Sequence, residues 1–552
     1  MGLKKFFKNY YLLIIILALA AFLRFFQITM VPPSTQWDET AIGYNAYSIL
    51  KTGRDEYGNF LPLIFKSFGD YKPGFYIYLT VPSIALFGLN ELAVRIPSAL
   101  AGIASVWLIY LVSWLLFKKK SLSLFISFAL AMSPWAMHFS RGAWEANLAL
   151  FLVLLGLLFF LKSEKKPKYL YLSAVSFGLT FLAYQGSKVF VPLFLLGLLI
   201  FFFKKIKTLP LKNLLISLFL LVFLASPAFL TIFTGGGGRL KIMSFLSYPR
   251  TTNEIQHILN EDKDNLFYFN LFHSEALSFA TKFMEKYFNH FSGRFLFFEG
   301  DWSSLRHGPP YTGVLYLFDF FLLLIGGSFF IRLKTNQSKF VWFWLLIAPL
   351  PAAITRDAIQ GVRSLNMVLP LMILIGGGFY QIFLWLQKPK RILVVGIALI
   401  LAVFYFSSVA YSLEQYFYHY PLQSSQDWQY GYKQVVQKIY PLRNNYEKII
   451  FTSEYGQPYI FWLFYGQYPP ADYQAQASLT ENPLGDVGKV ERLDNIEFRS
   501  VNFDGDKNLK KALLIGTNTE IPLEKIDYNQ QKILQEVKFL NGQVAFRVVE
   551  IL

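Results

Sequence analysis

Two short stretches bring together the residue types that could do chemistry: Trp37-Asp38-Glu39-Thr40 and Asp70-Tyr71-Lys72-Pro73-Gly74. A carboxylate beside an acceptor takes a proton from an attacking hydroxyl if it is shielded enough to keep a useful pKa. Asp38 is the candidate for that role. Lysine is a point-charge binder of phosphate, and Pro73 holds Lys72 in extended backbone. Each residue also has a plainer reading. Thr35-x-x-Asp38 has the form of a capping box, in which Asp38 would only close the start of a helix. Lys72 could snorkel to a lipid headgroup, with Asp70 simply paired to it. Glu39 is adjacent to Asp38, so on a helix it points about 100° away. A shared-proton dyad is therefore disfavoured, while Glu39 is still placed to orient a substrate.

Further cations stand at the ends of apolar runs: Arg141, Lys188, Arg356 and Arg363. On the outer side of a membrane they run against the usual charge bias, which makes each a candidate for an anionic partner. Surface exposure or a local ion pair, such as Arg356 with Asp357, explains any single one equally well. Glu145 stands four residues after Arg141, the spacing of an ordinary helical ion pair. His138, His290 and His307 are scattered without metal-ligand spacing. The chain has no cysteine, which excludes disulfides, thiolate metal sites and cysteine nucleophiles. No metal or cofactor is called for.

The elements that must position these residues are apolar. Of the 552 residues, 54% are hydrophobic and 18% aromatic, and spans of about 20 apolar residues recur, each long enough to cross a bilayer. The net charge is +17, but the basic residues fall in short clusters between spans. That pattern sets topology and argues against a nucleic-acid partner. Orienting the chain by its basic turns, Lys118 to Lys120, Lys162 to Lys168, Lys204 to Lys207, Arg332 with Lys334, and Lys388 to Arg391, gives about eleven spans with a cytoplasmic N-terminus. The first apolar run is read as a retained span, not a cleaved signal. Gly74 to Phe87 is too short to cross and carries Pro82, so it is expected at the interface or re-entrant. A helix from about Asp38 should stop at Gly53, with Ile42, Ala46, Ile49 and Leu50 on one face lying on the bilayer. Gly235 to Gly238 reads as a flexible linker.

After Leu413 the composition changes. Strands are expected at Lys448 to Thr452 and Lys511 to Ile515, a helix at Pro458 to Phe464, and a hairpin of Ile533 to Leu540 with Val544 to Ile551 about Asn541-Gly542. The expected organisation is an all-α polytopic membrane domain over 1–412 and a small extracytoplasmic α/β domain over 413–552, the latter a packing or recognition module.

On these residues the chain resembles the GT-C superfamily of polyprenyl-phosphate-sugar-dependent glycosyltransferases, in the branch of protein O-mannosyltransferases and lipid A aminoarabinose transferases. The matching places are Asp38-Glu39-Thr40 after the first span, Lys72-Pro73 before an apolar segment, Phe87-Gly88-Leu89-Asn90 with Val94-Arg95, Glu145 where the family has aspartate, Ser187-Lys188, and Arg363 with Leu369-Pro370. The resemblance implies a GT-C fold, interfacial helices in the first outside loop, and transfer of a monosaccharide from a polyprenyl-phosphate donor to a protein, lipid or glycan acceptor on the outer face of the cell membrane. It implies Asp38 and Glu39 as the catalytic pair, with Asp38 the general base. It places Lys72 near the lipid phosphate, and Asp70, Tyr71, Arg141, Glu145, Lys188 and Arg363 as substrate-binding candidates. Ala41 and Ile42 stand where the aminoarabinose enzymes have arginine and tyrosine, and Tyr71 where they have glutamate. Their sugar and acceptor are therefore not carried over. Two other classes fit the composition: a lipid or glycan transporter, which would place ionisable residues at mid-membrane depth, and a scaffold for the outer domain.

Overall fold

A computed structural model describes residues 3–230, 243–387, 391–480 and 487–552. The Gly235 to Gly238 run and Lys388 to Lys390 lie outside the described residues. The chain is mostly helical, with a mixed sheet near its C-terminus, and it is a multi-pass membrane protein. Five helices are long and apolar enough to cross a bilayer: Glu91–Phe117, Glu145–Lys162, Leu211–Leu230, Leu365–Leu386 and Val395–Ser424. A sixth span arises if Lys120–Met132 and Pro134–Arg141, bent by 54°, act together. Shorter apolar helices include Tyr10–Phe25, Phe75–Phe87, Tyr169–Ala183 and Ser187–Phe201.

The bend follows from Pro134, which starts the second half of the broken helix with Ser133 as its cap. A break leaves helix-end carbonyls without intrahelical donors. Arg24, fully buried in the first helix, donates to two of them, Ala131 O at 3.2 Å and Leu130 O at 3.4 Å. Arg141 does the reverse from the far side of the bend. Its guanidinium reaches Leu23 O and Phe26 O at 2.7 Å each and Val31 O at 2.8 Å, the carbonyls where the first helix ends. Two buried arginines thus cross-brace two helix ends, each satisfying carbonyls that would otherwise be orphaned.

The first loop builds helix α1 (Trp37–Thr52), a hairpin β1 (Ile64–Ser67) with β2 (Asp70–Pro73), and helix α2 (Phe75–Phe87). Gly53 ends α1 in the left-handed conformation at φ 68°, its N–H bonding Ile49 O, as the sequence implies. At 13 residues, α2 is short of the length of a span, again as expected. The apolar face of α1, however, does not lie on lipid. Ile42, Ala46 and Ile49 are buried while Leu50 is exposed, and the buried three share one core with Tyr459, Phe461 and Phe464 of the C-terminal region. Gly43 is glycine because a side chain there would run into the Phe464 ring.

That C-terminal region carries a six-stranded sheet in which β3 (Lys448–Phe451) lies between β5 (Ile496–Phe498) and β6 (Ala512–Gly516), parallel to both. The edges are antiparallel: β4 (Arg492–Leu493) against β5, and β8 (Val544–Ile551) between β6 and β7 (Gln531–Lys538). Helix Pro458–Tyr465 has a buried stretch from Pro458 to Phe464; it fills the space between sheet and α1.

Candidate active site

Asp38 is the second residue of α1. The helix start differs from the expected capping box. Gln36 is the cap, its Oε1 accepting from the Asp38 backbone N–H at 2.9 Å. The Thr35 hydroxyl instead bonds the hydroxyls of Thr40 (3.0 Å) and Tyr465 (2.9 Å). Capping is therefore not what the Asp38 side chain does. Its carboxylate forms an ion pair with Lys72, Nζ to Oδ1, with 36% of the Asp38 side chain and 15% of the Lys72 side chain exposed.

The hairpin delivers Lys72 to that place. Phe65 pairs with Lys72 and Ser67 with Asp70, leaving Phe68-Gly69 as a two-residue turn with φ of 53° and 83°. Positive φ at both positions is what a tight hairpin turn needs to match strand twist. Gly74 allows the Phe65 ring to close over the strand end, and the Lys72 ammonium lies 5.3 Å from the Phe68 ring centre. The turn is tied to the C-terminal sheet region, where Gly488 N–H donates to Phe68 O at 2.7 Å. The other end of the site is tied the same way. Trp37 N–H donates to Gln429 Oε1 at 2.8 Å, and Gln429 in turn donates to Tyr455 O at 2.5 Å.

Glu39 faces inward. It is 2% exposed and receives Arg95 Nε at 3.3 Å, Arg95 Nη2 at 3.0 Å and the Ala143 N–H at 2.5 Å. The remaining Arg95 donors go to Ile28 O, Pro32 O and Ser34 O. Glu39 is thus buried on Arg95 and the Ala143 N–H while Asp38 is partly exposed. The cause is the divergence of adjacent helical side chains, which puts Asp38 and Glu39 on different faces.

Of the other candidates, the structure gathers some at the hairpin. Gln185 Nε2 donates to Tyr71 O at 2.7 Å, and Lys188 lies within electrostatic reach of Asp70. Arg363 bonds Asp357 Oδ2 at 2.7 Å and Thr355 Oγ1 at 2.9 Å, within electrostatic reach of Tyr184, as is Glu145. Arg141 is buried in the brace described above, its donors on carbonyls, and Glu145 opens helix Glu145–Lys162 half-buried.

Two residues near the site escaped the sequence reading as functional. Arg95 was visible only as part of a family pattern; the signal was a lone arginine in an otherwise apolar run. Arg306 carried no signal at all, yet its guanidinium lies 6.0 Å from the Trp37 ring centre, and its carbonyl bonds His138 Nε2 at 2.9 Å. Next to it His307 is buried against Asp301, Nδ1 to Oδ2 at 2.6 Å. Deeper in the loop, burial pushes the Glu56 carboxyl up to about 8; Asn45 donates to it at 3.0 Å. Among the described residues no group of three His, Asp or Glu side chains could hold a metal ion.

Residues 71–229 match the family model described as dolichyl-phosphate-mannose-protein mannosyltransferase. No curated protein sequence matches the chain. Among solved structures, ArnT from Cupriavidus metallidurans in the apo state aligns with a TM-score of 0.53 at 13% identity, over 98% of this chain and 97% of that one. The same protein bound to undecaprenyl phosphate aligns with a TM-score of 0.50 at 13% identity, over 98% of each chain. The archaeal oligosaccharyltransferase AglB from Archaeoglobus fulgidus, in complex with an inhibitory peptide and a dolichol-phosphate, aligns with a TM-score of 0.51 at 13% identity, over 93% of this chain and 70% of that one. At such identity the likeness is one of fold. The chain has an ArnT-like fold and resembles the GT-C superfamily, and the family model falls on the segment that begins beside Lys72.

Proposed function

We propose that this protein is a glycosyltransferase that moves a monosaccharide from a polyprenyl-phosphate carrier to an acceptor hydroxyl on the outer face of the cell membrane, with Asp38 as general base. The observation that carries this reading is the Asp38–Lys72 ion pair, partly open to solvent at the start of α1. A donor phosphate competes with Asp38 for Lys72, since both are anions and Lys72 is a single point charge. Donor binding therefore loosens the carboxylate at the moment it is needed. The acceptor oxygen then attacks the anomeric carbon, its proton goes to Asp38, and the bond from that carbon to the phosphate oxygen breaks, the lipid phosphate leaving with the electron pair. A single displacement of this kind inverts the anomeric centre. Lys72 offsets the charge on the leaving phosphate, with Lys188 and Arg363 as the further cations on that side and Asp70 and Tyr71 flanking Lys72. Glu39 positions; it does not touch the sugar. Arg141 and Glu145 are left out of the site.

The basic turns are read as marking about eleven crossings, more than the five or six helices long enough to span by themselves, with the N-terminus in the cytoplasm, the domain break near residue 412 and the sheet domain outside, because every short basic turn then faces the cytoplasm. The family match over 71–229 and the ArnT-like fold support a lipid-phosphate sugar as donor, and ArnT itself has been seen with undecaprenyl phosphate. The test is turnover of defined polyprenyl-phosphate sugars by the purified chain and by Asp38→Asn. Loss of turnover on the order of 10²–10⁴-fold with an unchanged melt is expected, the usual worth of a positioned base. Near-normal turnover in a folded Asp38→Asn protein would sink the mechanism.

A further inference from the structure

Between the span Leu211–Leu230 and the apolar helix Asp319–Leu333 the chain forms three helices, α3 (Thr252–Glu261), α4 (Leu266–Phe272) and α5 (Glu275–Asn289). We infer that α4 and the outward face of α5 dock into the surface of the lipid bilayer, at the boundary between headgroups and acyl chains.

The sequence of α4, Leu-Phe-Tyr-Phe-Asn-Leu-Phe, is apolar on nearly every side. A helix of that kind is stable when buried in protein or in lipid. Protein does not bury it: Leu266, Phe267, Tyr268, Leu271 and Phe272 are each more than half exposed. It is nevertheless a fixed element. Asn265 Oδ1 caps it, accepting from the Phe267 N–H at 3.1 Å and the Tyr268 N–H at 3.3 Å. Arg250 ties it to α5, with its guanidinium 5.9 Å from the Phe269 ring centre and its Nε donating to Glu275 Oε1 at 2.8 Å.

A second observation comes from α5, which has two apolar faces. Phe279 and Phe283 pack on Phe245, ring centres 6.0 and 6.2 Å apart, and Tyr287 packs on Phe291 at 5.3 Å. Leu277, Met284 and Phe288 form the other face and are exposed. At 3.6 residues per turn, Phe288 points about 180° away from Phe279. One apolar face packs a helix on its own protein; an opposite one needs another cover.

The attachment of α5 makes that cover lipid. Its last turn is bonded to the end of a bundle helix and the loop beyond it. Tyr287 donates its hydroxyl to Leu346 O at 2.8 Å. Lys286 Nζ donates to Thr355 O at 3.0 Å and Asp357 O at 3.2 Å, and Asn289 Nδ2 to Ala358 O at 3.2 Å. Leu346 is exposed near the end of helix Asn336–Ile347. That helix packs on the apolar helix Ser187–Phe201 through Phe340 and Phe194, ring centres 5.3 Å apart. Phe288 therefore continues the lipid-facing surface of the bundle at its rim, where interfacial helices lie. Arg250 and Lys286 are engaged within the protein, so burial of apolar surface holds the arm, and neutral lipid is enough. Thr355 and Asp357, whose carbonyls Lys286 bonds, hold Arg363 with their side chains, so the docked arm and Arg363 share one loop.

The experiment attaches a small fluorophore to single cysteines in the full chain, held one to a nanodisc of neutral phosphatidylcholine; the chain has no cysteine of its own. Phe267→Cys and Leu271→Cys sample α4, and Met284→Cys and Phe288→Cys sample the outward face of α5, so the two helices are read separately. His257→Cys on α3, at a side chain 75% exposed, is the reference in water. Phosphatidylcholine spin-labelled near its headgroup should quench the labels on α4 and α5. Iodide should quench them about tenfold less than the label at position 257, as for groups lifted out of water into the headgroup–acyl boundary. A melt matching that of the unsubstituted chain shows that each variant is folded. Iodide reaching positions 267 and 271 as freely as position 257 overturns the proposal, because α4 then stands in water. Protection from both quenchers also overturns it, because another part of the chain then covers the face. Protection that appears only at two chains per disc assigns the face to a second copy instead.

Discussion

Asp38 and Glu39 are neighbours in sequence and opposites in structure. Each carboxylate has a cation, Lys72 for one and Arg95 for the other. The Asp38–Lys72 pair lies partly in water, between a helix start and a hairpin. The Glu39–Arg95 pair is sealed, and Arg95 divides its donors between Glu39 and three carbonyls. One pair can be opened by a competing anion at small cost. The other cannot be opened without leaving a charge stranded in the protein interior. On the proposed mechanism the first pair exchanges with the donor phosphate, while the second holds the shared helix in place.

Mutation separates the two. The largest effect should come from Asp38→Asn, with turnover down by the two to four orders of magnitude given above while the melt stays put. Arg95→Met should do the reverse, lowering stability by about 3–5 kcal/mol, the usual cost of removing one member of a buried pair; a chemical or thermal melt in detergent reads it. If Arg95→Met melts like the wild type, the sealed pair is not the anchor described here. Lys72→Ala comes next. It should weaken binding of a polyprenyl phosphate about tenfold, as for one charge-assisted hydrogen bond, with acceptor affinity unchanged, and unchanged donor affinity would remove Lys72 from the phosphate site.

The remaining prediction concerns the buried acid behind the hairpin. The folded-state value of Glu56, about 8, lies above the ordinary carboxyl value of 4.5. The folded chain therefore holds a proton that the unfolded chain releases, so stability is fully present below about 4.5 and declines as pH rises toward 8. The melting temperature should fall across that window, and Glu56→Gln should flatten the dependence. A wild-type profile already flat between pH 5 and 8 contradicts it.

Much of this was legible from residue types. Gly53 had to end α1, Asn541-Gly542 had to turn a hairpin, and the composition had to fold as apolar helices. The Asp38 and Lys72 candidates followed from acidic and basic residues set in a loop outside the apolar runs. What was hidden has a common physical origin. Periodicity in α1 told that one face is covered but not by what, and the cover proved to be Phe461 and Phe464 rather than lipid. Gln36 displaced Thr35 as cap because Thr35 is drawn to Tyr465, 430 residues away. Arg141 read as a candidate for an anionic partner, and Arg24 gave no signal, because the partners of both are backbone carbonyls at helix ends, which have no signature in sequence.

The ties between the first loop and the outer domain also bear on timing. The Trp37–Gln429 bond spans 392 residues. A ribosome adding about 5–20 residues per second takes roughly 20–80 s to cover that interval. During it Lys72 and Asp38 are already made, yet Trp37, Thr35 and the hairpin turn still lack the groups that fix them. The groups that hold Trp37 and Thr35 are thus made 392 and 430 residues after them. A product that stops before Gln429 therefore lacks the partners that fix Trp37, Thr35 and the hairpin turn.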